Sequence, residues 1–263
     1  FLNTIYSLVD KHNYLKIYDK TFARADWSQV LLTGLSFRAS AEWAHRKPLN
    51  NNSDFTWNKK AEREYSSNDP VPDSKLGEPA AFPASDIFVA EAMLVFRPKQ
   101  QYSSYPKYRA YTNSSWPEFV LGYRKALPLG KNNWADFDLL RFQIRQNELS
   151  WGLAGHTEWT AGGGYFLRSK SLSFMDLHHA TGNQTIFGTP DSYVRNFFLL
   201  PYYAFSTDKA YAEIHAQHHL EGWLLDKIPL FRKLNWKEVF GANFYYAEQP
   251  SRDPAFTGKL PYW

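Results

Sequence analysis

Strict alternation of apolar and polar residues is the feature of this sequence that most restricts its fold. From Leu35 to Trp43 every second residue is apolar, and the residues between them are Ser36, Arg38, Ser40 and Glu42. A period of two is typical of a β-strand with one face in an apolar environment and the other in water. We therefore predict a strand over Thr33 to Arg46, and the same pattern predicts strands at residues 87–97, 118–127, 138–146, 149–159, 210–219 and 239–246.

The composition of the two strand faces favours a membrane barrel over a soluble β-sandwich. The apolar face uses many alanines, namely Ala39, Ala41, Ala90, Ala92, Ala210, Ala212 and Ala216. Rows of alanine would leave voids in a densely packed soluble core, whereas acyl chains fill such space. The polar face repeatedly carries charge, as the lumen of a wide barrel does, at Arg38, Glu42, Arg124, Arg141, Arg145, Glu213 and His215. We predict an all-β fold, an antiparallel transmembrane β-barrel, with a soluble sandwich as the alternative.

The segments between the strands differ greatly in length. Residues 46–85 contain three consecutive asparagines and five prolines and are predicted to form a long extracellular loop. A short hairpin turn is predicted at Gln146-Asn147-Glu148. A short helix is predicted from Asn3 to Asn13, and Leu224 to Trp236 is expected to form a turn or short helix at the periplasmic face.

Composition excludes several other classes. The 263 residues contain no cysteine, which excludes a disulfide scaffold, a thiolate zinc site and a cysteine nucleophile. Lysine and arginine number 30 against 26 acidic residues, without a dense basic block, so we predict no nucleic-acid partner. No apolar run approaches the ~18 residues of a membrane-spanning helix. We expect the natural polypeptide to continue past both ends of this sequence.

Three groups of residues are candidates for chemistry, and each has a simpler structural interpretation. Five histidines, which we interpret as hydrogen-bonded lumen residues rather than metal ligands, are His178, His179, His215, His218 and His219. Glu148 and Glu158 have the residue types of a glycosidase pair but fit a barrel wall equally well. Gly162-Gly163-Gly164 lacks the other residues of a phosphate loop and indicates a bend or a close backbone approach. We predict a non-enzymatic protein with no metal and no cofactor.

Residues 174–203 join a polar, glycine-containing loop to an aromatic segment. Within it Arg195 stands between apolar residues at a predicted loop tip. An arginine folded into a lumen would pair with a carboxylate of the wall and pin the loop, and losing one partner would leave a buried charge. The chemistry of the residues alone favours an ordinary solvated arginine.

The sequence resembles a family of Bacteroidota outer-membrane proteins that join a carboxypeptidase-regulatory-like N-terminal domain to a C-terminal barrel. The stretches that carry this resemblance are Gly182 to Thr185, Leu199 to Asp208, His218 to Leu234, Trp236 to Asn243, Asn13 to Asp26, Arg46 to Leu49 and Asn52 to Trp57. The resemblance implies that residues 1–263 are part of one barrel domain, with residues 174–197 forming a loop that folds into the lumen. The bacterial outer membrane is the location that it implies.

The barrel is also similar to BamA-like assembly and translocation barrels, whose sixth extracellular loop enters the lumen with a Val-Arg-Gly-Phe/Tyr tip. Val194-Arg195-Asn196-Phe197 matches that tip except for Asn196, which tolerates the left-handed backbone. This likeness implies that Arg195, Asn196 and Glu213 anchor the loop in the lumen. Residues that would help to order it are Asn183, Gln184 and Thr185.

A role in outer-membrane protein assembly, export or surface display follows from these resemblances as an expectation. The expected partners are outer-membrane lipid, lipopolysaccharide and other envelope proteins in a complex. Two alternatives remain open from the residues. One is a soluble all-β carbohydrate-binding module that uses its aromatic side chains, and the other is a scaffold barrel that docks envelope proteins through residues 46–85.

Overall fold

The computed structural model describes residues 2–11, 14–50, 55–58, 65, 68, 84–112, 114–129, 135–183, 194–203 and 205–249. Eight strands form one antiparallel sheet in the order β1-β2-β3-β6-β7-β8-β9-β10, and β4 and β5 form a separate hairpin. The strands are β1 (Tyr18–Leu32), β2 (Leu35–Pro48), β3 (Ser85–Phe96), β4 (Tyr102–Ser104), β5 (Arg109–Tyr111), β6 (Glu118–Leu127), β7 (Asp136–Ser150), β8 (His156–Ser171), β9 (Ala210–His219) and β10 (Val239–Ala247). The helices are α1 (Leu2–Asp10) and α2 (Pro229–Lys233).

The predicted all-β class is confirmed, but the sheet is open. β1 and β10 form its two edges, and they do not pair with each other in the described part of the chain. Closure into a barrel therefore stays a prediction. The predicted N-terminal helix is present as α1, three residues shorter at its C-terminal end than the pattern suggested.

Strand register places the apolar residues of neighbouring strands on one common face. Ala39 lies opposite Ala92, and Ala41 lies opposite Ala90. We call this face the outer face; it includes Leu35, Phe37, Trp43, Phe88, Leu94, Phe119, Leu121, Leu140, Phe142, Ala212, Ile214, Ala242 and Phe244. The opposite, inner face holds the charged residues of the alternation, including Glu42, Glu91, Arg124, Arg141, Arg145 and Glu213.

The hairpin turn predicted at Gln146-Asn147-Glu148 is wrong. β7 continues to Ser150, with a register irregularity between Gln146 and Leu149. The Gln146 side-chain amide donates to the Glu148 carbonyl oxygen at 2.9 Å and so supports the irregular backbone within the strand. The chain reverses instead through Trp151 to Gly155, where Gly152 and Gly155 supply φ values of 63° and 92°.

The two ends of the sheet carry different connections. One end, here called the turn end, has Thr33-Gly34 and residues 97–117, 151–155 and 220–238. The other, the loop end, has residues 49–84, 128–135 and 172–209. The two segments predicted as long loops thus leave the same end, although Arg46 to Pro48 and Ser85 belong to β2 and β3 rather than to the loop. The segment 224–236, predicted as a turn or short helix, lies at the turn end and contains α2.

The buried core lies on the inner face near the loop end. Its members are Ala44, Ile87, Val89, Ala126, Ala135, Phe137, Leu139, Phe166, Leu172 and Tyr211. Gly164 contributes by lacking a side chain, because a Cβ there would stand 2.4 Å from the Tyr211 ring. A Cβ at Gly163 would stand 2.6 Å from the Tyr211 backbone carbonyl oxygen, so the close backbone approach predicted for the triple glycine is confirmed.

Candidate functional site

Ion pairs between neighbouring strands balance most of the charge on the inner face. Lys20 Nζ lies 2.6 Å from Glu42 on the adjacent strand, and the Arg24 guanidinium lies 3.8 Å from the same carboxylate. Arg141 on β7 pairs with Glu91 on β3, across the intervening strand β6. Glu118 receives both Arg97 and Arg145. The inner face is thus a lattice of paired charges rather than one isolated carboxylate pair.

We call the connection between β8 and β9, residues 172–209, the β8–β9 loop, and its described parts fold back over the inner face. Its two described arms meet through a pair of backbone hydrogen bonds between His178 and Thr207, at 2.9 and 3.0 Å. A second bridge joins Gly182 to Phe197. Thr207 is fully buried, and its hydroxyl donates to the Glu248 carbonyl oxygen at 2.7 Å. The loop is therefore built into the fold through its own backbone.

A buried ion pair attaches the β8–β9 loop to the far side of the sheet. The Arg46 guanidinium on β2 donates to both carboxylate oxygens of Asp176, at 2.9 and 3.0 Å. The two side chains are only 5% and 0% exposed. Asp176 ends a short 3-10 turn, Phe174–Asp176, in which it forms a capping box with Ser173. The pair joins residues 130 positions apart and holds the loop across the inner face.

Two adjacent histidines of the loop are held in their neutral form. Burial, with smaller contributions from His179 and Arg141, lowers the pKa of His178 to about 3. Burial also lowers the pKa of His179 to about 4, although its hydrogen bond to the Phe174 carbonyl opposes this. The His178 ring stacks on Tyr211, and its Nε2 has no hydrogen-bond partner among the described residues. Neither ring is therefore charged at neutral pH.

An aromatic contact attaches the second arm of the loop. Phe197 is 6% exposed, and its ring lies 4.4 Å from the His215 ring and 5.3 Å from the Tyr245 ring, measured between centroids. His215 and Tyr245 are inner-face residues of β9 and β10. Residues 174–183 and 194–203 therefore both lie against the inner face, on opposite sides of the undescribed residues 184–193.

The residues predicted to anchor this loop have different environments. Arg195 is exposed, and no ion pair joins it to another described residue. Asn196 is half-buried, and Glu213 lies half-buried on the inner face of β9. Asn183 donates its backbone N–H to the Leu200 carbonyl oxygen at 2.8 Å, while Gln184 and Thr185 lie outside the described residues. The anchoring role of Arg195 stays a prediction.

Sequence reasoning missed Arg46 and Asp176, although both carry a signal. Arg46 continues the even-numbered polar positions of β2 after Arg38 and Glu42, but the sequence pattern makes it the boundary between the predicted strand and the predicted loop. Asp176 stands three residues after Ser173, the spacing of a capping box. Neither signal reveals the partner, because the pairing depends on how the loop returns over the three strands that lie between β8 and β2.

Two of the histidines considered as metal ligands are hydrogen-bonded, as predicted. His215 Nδ1 lies 2.9 Å from the Asn243 side-chain oxygen on β10. His218 Nδ1 lies 2.8 Å from the Thr157 hydroxyl on β8. Register places His215 on the inner face and His218 on the outer face, so the two do not share a site.

The outer face leaves large apolar side chains uncovered. On the internal strands β7 and β9, Phe142 and Ile214 are each 47% exposed. On the edge strand β10, Phe244 is 57% exposed. In the β2–β3 pair, the Ala39–Ala92 and Ala41–Ala90 contacts lie between Trp43–Phe88 at one end and Leu35–Phe96 at the other. Soluble monomers rarely expose contiguous apolar patches beyond a few hundred Å². The apolar side chains of the outer face are typical of a surface that contacts another apolar phase or a partner rather than water.

The protein belongs to a class with one antiparallel sheet that has an apolar outer face and a charged inner face. A loop folds over the charged inner face. The model of the C-terminal domain of a family of unknown function (DUF5686) matches residues 1–252, and the chain belongs to that family. Neither the curated proteins nor the solved structures contain a match to this chain. Among the described helices none is long and apolar enough to cross a membrane.

Proposed function

We propose that this sheet is part of the wall of an outer-membrane β-barrel that acts without covalent chemistry in outer-membrane protein assembly, export or surface display. The observation that carries the proposal is the register, which gathers the apolar residues on an exposed outer face and the charges on the inner face. Lipid tails cover such a face without requiring dense packing, which accounts for its alanines. Outer-membrane lipid and lipopolysaccharide are then its surroundings.

The open edges of the sheet support the same proposal. β1 is 15 residues long and β10 is nine, and each has one side unpaired among the described residues. Long exposed edges template aggregation, and closure into a barrel removes them. We propose that further strands or the pairing of these edges complete the wall.

The β8–β9 loop supports a role in handling other polypeptides. It covers the inner face at the loop end, where the lumen of a barrel would open, and it is fixed there by Arg46–Asp176 and Phe197. The connections at the loop end are longer in total than those at the turn end, as extracellular loops of outer-membrane barrels are, and this favours an extracellular position for the loop end. A loop held inside a barrel controls what enters the lumen, which suits a role in assembly or export. Other envelope proteins in a complex are the partners that this role would involve.

The proposal is tested by the electrophoretic mobility of the full-length protein from purified outer membranes, with and without boiling. A folded barrel resists SDS until it is heated, so we expect a shift in mobility on boiling and extraction by detergent only. A protein that is released by salt and migrates identically in both samples would contradict the proposal.

Adjacent lysine substitutions on β2 provide a sharper prediction. Ala39 and Ser40 are both small and half-buried, but they lie on the outer and inner faces respectively. We expect Ala39→Lys to lower the free energy of unfolding in lipid vesicles by about 2–4 kcal/mol, the cost of a lysine near the bilayer midplane. Ser40→Lys is the matched control and should be tolerated, because Ser40 lies between Asp26 and Glu91 in register. Equal tolerance of both variants in urea titrations would indicate that the outer face is in water.

Carbohydrate binding remains a second candidate because of the β4–β5 hairpin. It exposes four tyrosines, and the Tyr105 and Tyr108 rings stack with centroids 4.9 Å apart. Exposed aromatic faces are platforms for sugars. Binding of the detergent-free protein to a glycan array, lost when Tyr105 and Tyr108 are replaced by alanine, would favour this candidate over the barrel.

A further inference from the structure

We infer that His156, His219 and Glu221 form a binding site for a divalent transition metal, with zinc the best match to the ligand types. His156 is the first residue of β8 and His219 the last of β9, and they are direct cross-strand neighbours. Glu221 follows two residues after β9 at the turn end. One ligand atom from each of the three residues lies within 4.8 Å of the others. This inference goes beyond the proposed function and does not depend on it.

The geometry brings the donors together without a hydrogen bond that would satisfy them. The two imidazole rings stack with 4.5 Å between centroids and 7° between planes. His156 Nδ1 lies 3.4 Å from Glu221 Oε1. His219 Nε2 is shielded from solvent and has no hydrogen-bond partner among the described residues. A shielded imidazole nitrogen without a partner is an unusual arrangement that a metal ion would satisfy.

The local backbone holds the three residues in place. Gly155, next to His156, has a φ of 92°, and a Cβ at this position would collide with the His219 carbonyl oxygen. Glu221 has a φ of 53°, which residues with side chains rarely adopt. Gly155 immediately precedes the histidine at the start of β8, and Glu221 follows shortly after the histidine at the end of β9. The two unusual backbone conformations bring the Glu221 carboxylate beside the histidine pair.

The donor set determines the class of ion. Two imidazoles and one carboxylate are typical of zinc, which binds nitrogen at about 2.0–2.1 Å and carboxylate oxygen at about 2.0–2.2 Å. Donors on one tetrahedral ion are then about 3.3 Å apart, so side-chain rotations alone would close the site. Glu158 Oε1 lies 3.8 Å from His219 Nε2 on the same face and is placed to be a fourth ligand or to orient the imidazole. Calcium and magnesium prefer all-oxygen sites and are disfavoured.

Isothermal titration of the full-length detergent-solubilised protein with zinc sulfate tests the inference, after removal of any polyhistidine tag. We expect one zinc per chain with a dissociation constant in the micromolar range or below. His219→Asn and His156→Asn should each weaken binding at least tenfold, and Glu221→Gln about tenfold. His218→Asn is the matched control, because it is adjacent to His219 but on the opposite face, and it should bind zinc as the wild type does.

Cobalt substitution provides a second measurement, in which the wild-type spectrum reports the coordination of the ion directly. Four-coordinate cobalt(II) with nitrogen and oxygen ligands has strong visible absorption bands, which we expect in the wild type and not in His219→Asn. The inference is overturned if the wild type binds no zinc at a zinc concentration 100-fold above the expected dissociation constant. It is also overturned if the cobalt spectrum of the wild type is that of the hydrated ion. It is equally overturned if His218→Asn weakens zinc binding as much as His219→Asn does.

Discussion

Replacing Asp176 by asparagine should lower the free energy of unfolding by about 3–5 kcal/mol, because the Arg46 guanidinium would remain buried without a counter-charge. Arg46 and Asp176 are 5% and 0% exposed, so water cannot take the place of the lost carboxylate. Asparagine keeps the size of the side chain and an oxygen for the Ser173 backbone N–H. The change therefore isolates the charge. Equilibrium unfolding in urea, followed by tryptophan fluorescence in detergent micelles, measures the effect.

Two further variants separate the ion pair from general damage to the loop. The double variant Arg46→Met with Asp176→Leu removes both charges and should recover most of the lost stability, since well-packed apolar replacements of buried pairs are often neutral. Asp26→Asn breaks the exposed Arg24–Asp26 pair, whose atoms are 2.8 Å apart, and should have little effect. If Asp176→Asn is as stable as the wild type, or if the double variant is no better than Asp176→Asn, the pair does not hold the loop.

Acidification should loosen the same loop before the carboxylates titrate. Burial lowers the pKa of His178 to about 3 and that of His179 to about 4, while unfolded histidines titrate near 6.5. Below about pH 6.5 the unfolded chain therefore binds more protons than the folded chain, and the stability falls as the pH falls. Between pH 7 and pH 5 the loss should be about 2 kcal/mol for each histidine. Above pH 7 the slope contributed by the two groups declines, and it is negligible beyond about pH 8.

The measurement is the free energy of unfolding at half-unit steps from pH 7.5 to pH 5. The variant that replaces both His178 and His179 by glutamine should have a much flatter profile, whatever its stability at pH 7.5. Phe174→Leu is the control, because Phe174 is buried against the His179 ring, 4.7 Å between centroids, and does not titrate. It should lower the stability at every pH and keep the wild-type slope. A wild-type profile that is flat over this range would show that both rings are protonated as readily when folded as when unfolded.

The strands with clean alternation were predictable from the sequence, and the irregular ones were not. β6 and β9 begin and end where the pattern predicts, because polar and apolar residues alternate through most of each strand, with Lys125 and His218 as exceptions on the apolar face. β1 was missed as a strand, because its inner positions mix Phe22 with Arg24 and Asp26 and the period of two is lost. The end of β7 was misplaced, since its turn-like residues Gln146 to Glu148 are absorbed as a register irregularity.

For the candidate site, the family resemblance implied a loop folded back over the polar face, but the sequence did not predict its contacts. A loop between residues 174 and 197 that returns toward the polar face was expected, and its described parts do contact that face. The expectation that an arginine of the loop meets a carboxylate of the wall has its counterpart in Arg46–Asp176, with the charges exchanged between loop and wall. Which residues meet depends on long-range register, and neither local propensity nor periodicity contains that information.

The sequence separation within the buried ion pair imposes an order on the formation of the structure. Arg46 belongs to the first hairpin of the sheet, yet its counter-ion lies 130 residues further along the chain. Until β8 has been added and the chain beyond it has turned back, the guanidinium must remain hydrated, and the inner face at that end must remain accessible to water. Contacts between such distant residues require the intervening chain to be organised first, which makes them slow to form. The first hairpin therefore cannot reach its final environment before the last third of the domain has arrived.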